Sequence, residues 1–209
     1  MSIKDHVLEG SEWSQGDYID NLPGVGDGYC RALVIYWLYD IHLHKKISVA
    51  DNFKSLIKSH VGNLGTIAKS QEDTDKIGSL NALEMANVHL LQVTQGVLSV
   101  NTGAVNVTWL GPQAAGTPGG AVRSALNQSV RSMCLVHIEW DGWLWTSVGS
   151  GAHAIGVVSE PGGSAGDTFT VFDPNYGIMR AYGVAGIDTL MQVIRNEYSA
   201  NRLAALPLM

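Results

Sequence analysis

The chain has only two cysteines in 209 residues, Cys30 and Cys134. Two cysteines cannot form a disulfide framework, and both are expected to be free thiols. No run approaches the roughly 20 apolar residues that span a bilayer, so stable membrane insertion is not expected. The net charge of −6 argues against nucleic acid as a partner, because an acidic surface repels phosphate groups.

The remaining composition is that of a globular protein, with 45% apolar and 15% charged residues. A single domain over residues 1–209 is expected, since this length can build a core without metals or disulfides. The N-terminus lacks the basic and apolar regions of a secretory signal. We therefore expect synthesis in the cytoplasm and, if the protein leaves the cell, export without a cleaved signal.

The sequence changes character near its middle, from a helical part (about 1–101) to a sheet part (about 102–209). Helical spacing and turn residues predict helices over 29–43, 49–61, about 72–97, 120–131 and 187–200. Alternating or apolar runs predict strands over 105–110, 133–140, 153–159, 168–173, 177–182 and, as a last edge strand, 202–208. Helices followed by antiparallel strands indicate an α+β fold, with the first helix packed against a sheet.

Cys30 is the candidate nucleophile because of its place at the start of an apolar helix. A glycine-bearing turn with Gly28 leads directly into it. The unpaired N–H groups and the positive dipole end of a helix start favour a thiolate. Cys134 lies in an apolar strand, where a cysteine usually acts as a small hydrophobic residue.

His153 and Asp173 are the candidate partners of this thiol. His153 opens one predicted strand and Asp173 closes the next, and a glycine-rich turn at 161–167 joins them. Such a hairpin brings the start of one strand beside the end of the other. His153 would hold the thiolate as an ion pair and protonate the leaving amine, while Asp173 would accept the other ring N–H.

Other titratable residues suggest no metal or cofactor, and none is expected. His42 and His44 lie two apart on a predicted helix and so do not share a face. His137 and Glu139 lie two apart on a predicted strand and can share one. We expect this second pair to be structural or a surface feature, with support of the active site as a third alternative.

Three short blocks of this sequence resemble the YopT/AvrPphB-type cysteine peptidases, which are papain-like effector enzymes injected by bacterial secretion systems. The blocks are Gly28-x-Cys30-x-Ala32-Leu33 with Trp37-Leu38, His153-Ala154-Ile155-Gly156-Val157, and Phe172-Asp173-Pro174-Asn175-x-Gly177. The resemblance implies a papain-like fold, a triad of Cys30, His153 and Asp173, and cleavage of an amide bond. It also implies a bacterial effector or toxin delivered into a target cell.

The sequence departs from that family before the cysteine. Such enzymes carry a side-chain amide five or six residues upstream as half of the oxyanion hole, where this chain has Gly24 and Val25. The backbone N–H of Cys30 can supply one donor, and Asn21 and Gln15 are the candidates for the other. One missing donor is worth roughly 3 kcal/mol of transition-state stabilisation.

Several functions remain open for the same three residues. The favoured one is a peptidase acting on a protein, slightly ahead of a peptidoglycan amidase or endopeptidase like the NlpC-type enzymes. A third possible activity is that of a glutamine deamidase or transglutaminase-like enzyme. A fourth hypothesis is a non-enzymatic binding module. The expected partners are a protein or peptidoglycan peptide substrate, and an immunity protein or a secretion chaperone.

Overall fold

One antiparallel sheet organises the part of the chain that the structure describes. The computed structural model describes residues 2–15, 30–43, 108–110, 117–126, 130–140, 151–162, 164, 166–200 and 202–208. Its strands are β1 (Val7–Glu12), β2 (Thr108–Leu110), β3 (Ser132–Trp140), β4 (Gly151–Glu160), β5 (Thr168–Asp173), β6 (Gly177–Tyr182) and β7 (Arg202–Leu208). They lie in the order β1-β6-β5-β4-β3-β7-β2, and each neighbouring pair is antiparallel.

Helix α1 (Cys30–Leu43) packs on one face of β4 through its apolar side. Trp37 is fully buried there and its ring lies 5.3 Å from that of Phe172. Gly156 of β4 permits this contact, because a Cβ at that position would stand 2.7 Å from the Trp37 ring. The predicted helix over 29–43 is thus confirmed within the described residues, and its packing aims Cys30 at the strand that carries His153.

Helices α2 (Pro118–Ala125) and α3 (Gly183–Glu197) form the second layer and share a hydrophobic core with the sheet. That core includes alternate residues of the central strands, such as Val136, Ile155 and Val171. Alternation is the expected pattern for strands whose two faces meet different helices. The described elements therefore give the α+β fold that the sequence predicted.

Both helices differ in extent from the predictions of 120–131 and 187–200. Helix α2 begins earlier because Thr117 caps it, accepting the Gly120 N–H, and Pro118 occupies a first-turn position that needs no N–H. It ends at Leu126, whose backbone is extended. Helix α3 ends before Ser199, a non-glycine residue with a positive φ of 50°.

Strand β7 is not the edge strand that we expected over 202–208. It lies between β3 and β2. Pro207 is compatible with this position, because the described residues of β2 pair with Leu203, Ala204 and Ala205. The missing N–H of Pro207 therefore interrupts no described hydrogen-bond ladder on the β2 side.

Strand β1 was missed by the sequence analysis, which assigned the first half to helices. A short 3-10 helix (Ile3–His6) precedes it, and β1 pairs with β6 at one edge of the sheet. Its register shifts between Val7 and Glu12, and Gly10 has a φ of +76°. This irregularity disrupts the alternation that signals a strand.

The predicted strand over 105–110 is confirmed at Thr108–Leu110. The predicted helices over 49–61 and 72–97 lie outside the described residues, and the single domain over 1–209 stays a prediction. Among the helices that the structure describes, none combines the length and apolar character needed to cross a membrane.

Candidate active site

The sheet register brings His153 and Asp173 together on one face. Gly156 pairs with Phe172 across β4 and β5, so Asp173 continues the register opposite Ile155, two residues from His153. Such diagonal neighbours share a face and lie within reach of long side chains. His153 Nε2 is 2.9 Å from Asp173 Oδ1, and the two residues are 3% and 0% exposed.

Cys30, the first residue of α1, contacts His153 of this pair. Its thiol forms hydrogen bonds with the His153 side chain and with the backbone of Ala154. Because Nε2 of His153 faces Asp173, the ring nitrogen that remains for the thiol is Nδ1. The structure thus brings together the three residues that the sequence analysis selected, and Cys30 alone of the three is partly exposed.

The electrostatics of the contact favour a thiolate and an imidazolium. Burial raises the pKa of the Cys30 thiol, but the His153 charge, two hydrogen bonds and the Arg31 charge outweigh it and leave the pKa below its ordinary value. Burial lowers the pKa of His153, but Asp173 and Cys30 raise it to about 10. Both shifts favour the charged forms, so this contact favours an ion pair of thiolate and imidazolium.

Asp173 is held by more donors than His153 alone. The backbone N–H of Asn175 donates to Oδ1 at 2.8 Å, and the Tyr198 hydroxyl lies 3.0 Å from both carboxylate oxygens. The turn that follows β5 ends at Gly177, whose φ of +112° only glycine adopts readily. These contacts hold the carboxylate in the position from which it accepts the His153 N–H.

Tyr198 is a residue of this site that sequence reasoning missed. It follows α3, and its ring stacks on the His153 imidazole with centroids 4.6 Å apart. Its other described neighbours include the Trp140 ring at 5.7 Å. No local motif marks this tyrosine, since it lies 25 residues after Asp173 and reaches the site only because α3 packs on the sheet.

Of the two candidates for the second oxyanion donor, the structure describes only Gln15. Asn21 lies outside the described residues. Gln15 is buried beside the turn after Asp173, where its backbone N–H donates to Pro174 O at 2.8 Å and its Nε2 donates to Asn175 Oδ1 at 2.7 Å. The structure thus places a side-chain amide beside Asn175, in the turn whose backbone N–H holds Asp173, although Gln15 comes 15 residues before Cys30 in the sequence.

A second group of buried polar residues lies where the first turn of α1 meets β3. His137 Nδ1 is 3.4 Å from the Arg31 guanidinium, and His137 Nε2 is 3.3 Å from Glu139. Burial, above all, lowers the pKa of His137. The expectation of a structural pair fits this arrangement, whereas the surface alternative is wrong because both His137 and Glu139 are buried.

Cys134 takes no part in the site. It is a free thiol, as expected for both cysteines, and it lies in the apolar core under α2 and α3. Burial raises its pKa, so it stays protonated and inert at neutral pH. The two cysteines therefore differ in environment as their sequence contexts predicted.

A cavity of about 720 Å³ adjoins the turn after Asp173. Its volume lies in the range of ligand-binding clefts. It combines charged, aromatic, polar and aliphatic side chains, namely those of Lys4, Val7, Glu12, Trp13, Ser14, Asn175 and Tyr176. Asn175 connects the cavity to the triad, because its N–H also holds Asp173.

Comparisons with known proteins give similarity of structure only. No protein-family model matches this chain, and no curated protein matches it. The crystal structure of the Pseudomonas avirulence protein AvrPphB superposes over 100% of both chains with a TM-score of 0.58 at 14% sequence identity.

A second solved structure is PatoxP, a cysteine protease-like domain of the Photorhabdus asymbiotica toxin PaTox. It matches with a TM-score of 0.45 and 12% identity, over 99% of this chain and 55% of that one, so this chain spans about half its length. The likeness to AvrPphB over the full length of both chains confirms the fold that the sequence predicted: this protein has the α+β fold of the papain-like cysteine proteases.

Proposed function

We propose that this protein is a cysteine-dependent amide hydrolase with Cys30 as nucleophile, His153 as general acid and base, and Asp173 as the residue that orients His153. One observation carries the proposal. A partly exposed thiol with a lowered pKa contacts an imidazole whose pKa is raised to about 10 and which is bonded to a buried carboxylate. A purely structural histidine does not need a reactive thiol on one nitrogen and a carboxylate on the other.

The first half of the proposed reaction cleaves the amide. The Cys30 thiolate attacks the carbonyl carbon, and the C–S bond forms as the carbonyl electrons move to oxygen. The His153 imidazolium then gives its Nδ1 proton to the leaving amine while the C–N bond breaks. The products of this half are a free amine, neutral His153 and a thioester on Cys30.

The second half releases the acyl group. Neutral His153 takes a proton from water through Nδ1, and the resulting hydroxide attacks the thioester carbon. The C–S bond breaks, the carboxylic acid leaves, and the pair returns to thiolate and imidazolium. Nε2 of His153 keeps its proton throughout and donates it to Asp173, so Nδ1 transfers the proton in both halves.

Gln15 is our proposed second oxyanion donor, beside the backbone N–H of Cys30. Its support is its position, since its buried amide is bonded to Asn175 in the turn that orients Asp173. A donor set on a turn fixed to the triad is held rigidly, as transition-state stabilisation requires. The chain thereby replaces the upstream amide of similar enzymes with one from the segment after β1.

We propose a polypeptide as the substrate, ahead of the peptide part of peptidoglycan. The cavity beside Asn175 supports an extended chain, because it offers the Trp13 and Tyr176 rings together with charges of both signs at Lys4 and Glu12. Side chains of mixed character suit a stretch of polypeptide better than a single small molecule.

The setting we propose is that of a delivered bacterial effector, which acts in a target cell and is bound by an immunity protein or a secretion chaperone. The structural likeness to a Pseudomonas avirulence protein supports this setting. No cofactor enters the proposed chemistry.

Expression in three compartments tests the function and the substrate together. The wild type, Cys30→Ala and Cys134→Ala are expressed in the bacterial cytoplasm, in the periplasm behind an export signal, and in yeast. Cys134→Ala is the matched control, since it removes the other thiol outside the site. We expect Cys30-dependent growth arrest in the bacterial cytoplasm or in yeast, with the cleaved protein identified by mass spectrometry of new N-termini.

Other results have definite meanings. Lysis that depends on Cys30 and on export would identify peptidoglycan as the substrate. A mass change of one dalton at a glutamine without chain cleavage would identify a deamidase. Equal behaviour of Cys30→Ala and the wild type in all three compartments would contradict the hydrolase.

A further inference from the structure

Tyr198 covers the His153–Asp173 pair on the side of the sheet where α3 packs. The chain leaves α3 at this residue and places the ring flat against the imidazole, at an interplanar angle of 26°. The hydroxyl lies 3.0 Å from each oxygen of Asp173 and accepts a hydrogen bond from Asn175 Nδ2 at 3.1 Å. One side chain therefore touches both partners of the pair.

The hydroxyl contact of Tyr198 with Asp173 and its ring contact with His153 have different consequences. The hydroxyl satisfies Asp173 Oδ2, for which no other described partner is found, and so holds the carboxylate against rotation. The ring fixes the plane of His153 and excludes water from the ion pair. Without water the attraction between Asp173 and the imidazolium is stronger, because the local dielectric constant is lower.

We propose that Tyr198 is a positioning residue for the His153–Asp173 pair and that it sustains the thiolate of Cys30 through them. This inference rests on the proposed function, since it assigns Tyr198 a part in the same site. Tyr198 itself transfers no proton and makes no bond to substrate in this role.

The surroundings of Tyr198 support a donor role. Burial, and then the Asp173 charge, raise its pKa, so the hydroxyl stays protonated over the pH range of interest. The charged groups near it are Asp173, the His153 imidazolium and, through the hydroxyl of Tyr176, Glu197. Tyr176 donates to Glu197 at 2.6 Å and packs edge-on against the Tyr198 ring, 6.4 Å away.

Alkylation of the thiol by iodoacetamide tests this role without knowledge of the substrate. The rate is measured from pH 4 to 10 for the wild type, Tyr198→Phe, Tyr198→Leu and the matched control Tyr176→Phe. The control loses a hydroxyl hydrogen bond beside the site but none to Asp173. Cys30→Ala gives the background from Cys134, and circular dichroism verifies that each variant is folded.

We expect the acid limb of the Tyr198→Leu profile to move to higher pH, towards that of an ordinary thiol. The loss of ring and hydroxyl weakens the imidazolium, and the thiolate loses its counter-ion. The rate is proportional to the thiolate fraction, so a rise of one in the thiol pKa lowers it about tenfold on the acid limb. We expect about that loss for Tyr198→Leu and about threefold for Tyr198→Phe, which keeps the stacked ring.

The outcomes separate this inference from the proposed function. Profiles of both Tyr198 variants that coincide with that of a reactive wild type would overturn the positioning role alone, as would an equal shift in Tyr176→Phe. A wild-type thiol that reacts no faster at pH 6 than a free cysteine would reject the thiolate pair and the hydrolase with it. If Tyr198→Leu fails to fold, Tyr198→Phe still measures the hydrogen bonds to Asp173.

Discussion

Asp173 Oδ1 lies 2.9 Å from Nε2 of His153, so the imidazole presents Nδ1 to the thiol of Cys30. In the proposed mechanism this geometry assigns proton transfer to Nδ1 and anchoring of the ring to Nε2. It also explains why the pKa values of Cys30 and His153 move in opposite directions, since each charge stabilises the other.

Replacement of the nucleophile is expected to abolish activity. Cys30→Ala should lower kcat by about 10⁴-fold to 10⁶-fold, because no other described group can form the thioester. The fold should persist, since a partly exposed thiol contributes little to the core. Activity and melting temperature are measured beside Cys134→Ala, which should keep its activity; equal activity of Cys30→Ala and wild type would contradict the mechanism.

The ion pair predicts a specific dependence of stability on pH. His153 has a raised folded pKa, so its contribution is complete below about 6.5 and is lost as pH rises through about 10. Cys30 has a lowered folded pKa, so its contribution is complete above the free value of about 8.5 and is lost as pH falls through the folded pKa.

An ion pair of Cys30 and His153 holds one proton, on the imidazole, and between those two free values the unfolded pair also holds one, on the thiol. The contribution of the pair to the free energy of unfolding is therefore constant from about pH 6.5 to 8.5, and falls on either side. In Cys30→Ala only the histidine remains, and stability should decline from about pH 6.5 upward. Urea unfolding of both proteins at several pH values measures this, and parallel curves would rule out the ion pair.

Removal of His153 should leave burial as the main influence on the pKa of the Cys30 thiol. In His153→Ala the thiol pKa is expected at about 8.5 or higher, because burial raises it and the main opposing charge is gone. Thiolate absorbance at 240 nm as a function of pH measures the change. A thiol pKa that stays at the wild-type value would show that Arg31 and the helix start suffice without the imidazole.

Asp173→Ala should cost less activity than His153→Ala, because the carboxylate orients the ring and does not react. We expect the loss in kcat to be about 10-fold to 100-fold smaller. Asp188→Ala serves as the control, since Asp188 also forms an ion pair, with Arg123, but lies on α3 away from the site. Losses of equal size for Asp173 and Asp188 would mean that the effect is one of stability.

Gln15→Glu tests the second oxyanion donor. The change keeps the shape of the side chain but removes its N–H donor, so kcat should fall about 10²-fold to 10³-fold while KM changes little. Asn175→Ala removes the partner of Gln15 but leaves its amide in place, and should cost less. Equal losses in kcat for the two variants would show that Gln15 acts only through Asn175.

Much of the site could be read from local sequence. The turn at Gly28 followed by an apolar helix identified Cys30, and two strands with a turn between them predicted that His153 and Asp173 meet. Both inferences depend on neighbours within about 20 residues, where strand pairing and helix starts follow from short patterns. The bounds of β5 and β6 were likewise predicted to the residue.

Other features depend on contacts between distant segments, and no local pattern could reveal them. Strand β1 loses its alternation at a bulge, and β7 became an inner strand only because Thr108–Leu110 covers it. Gln15 reaches Asn175 across 160 residues of sequence. Tyr198 reaches His153 because α3 packs on the same face of the sheet.

By itself, the sequence determined the α+β class, the helix that carries Cys30 and the hairpin that pairs His153 with Asp173, because local periodicity and turn chemistry specify these. Only the tertiary structure decided which side chains surround that pair, which ring nitrogen faces the thiol and which strand closes the sheet. Those features depend on packing between elements, and packing brings into contact residues that lie far apart in the sequence.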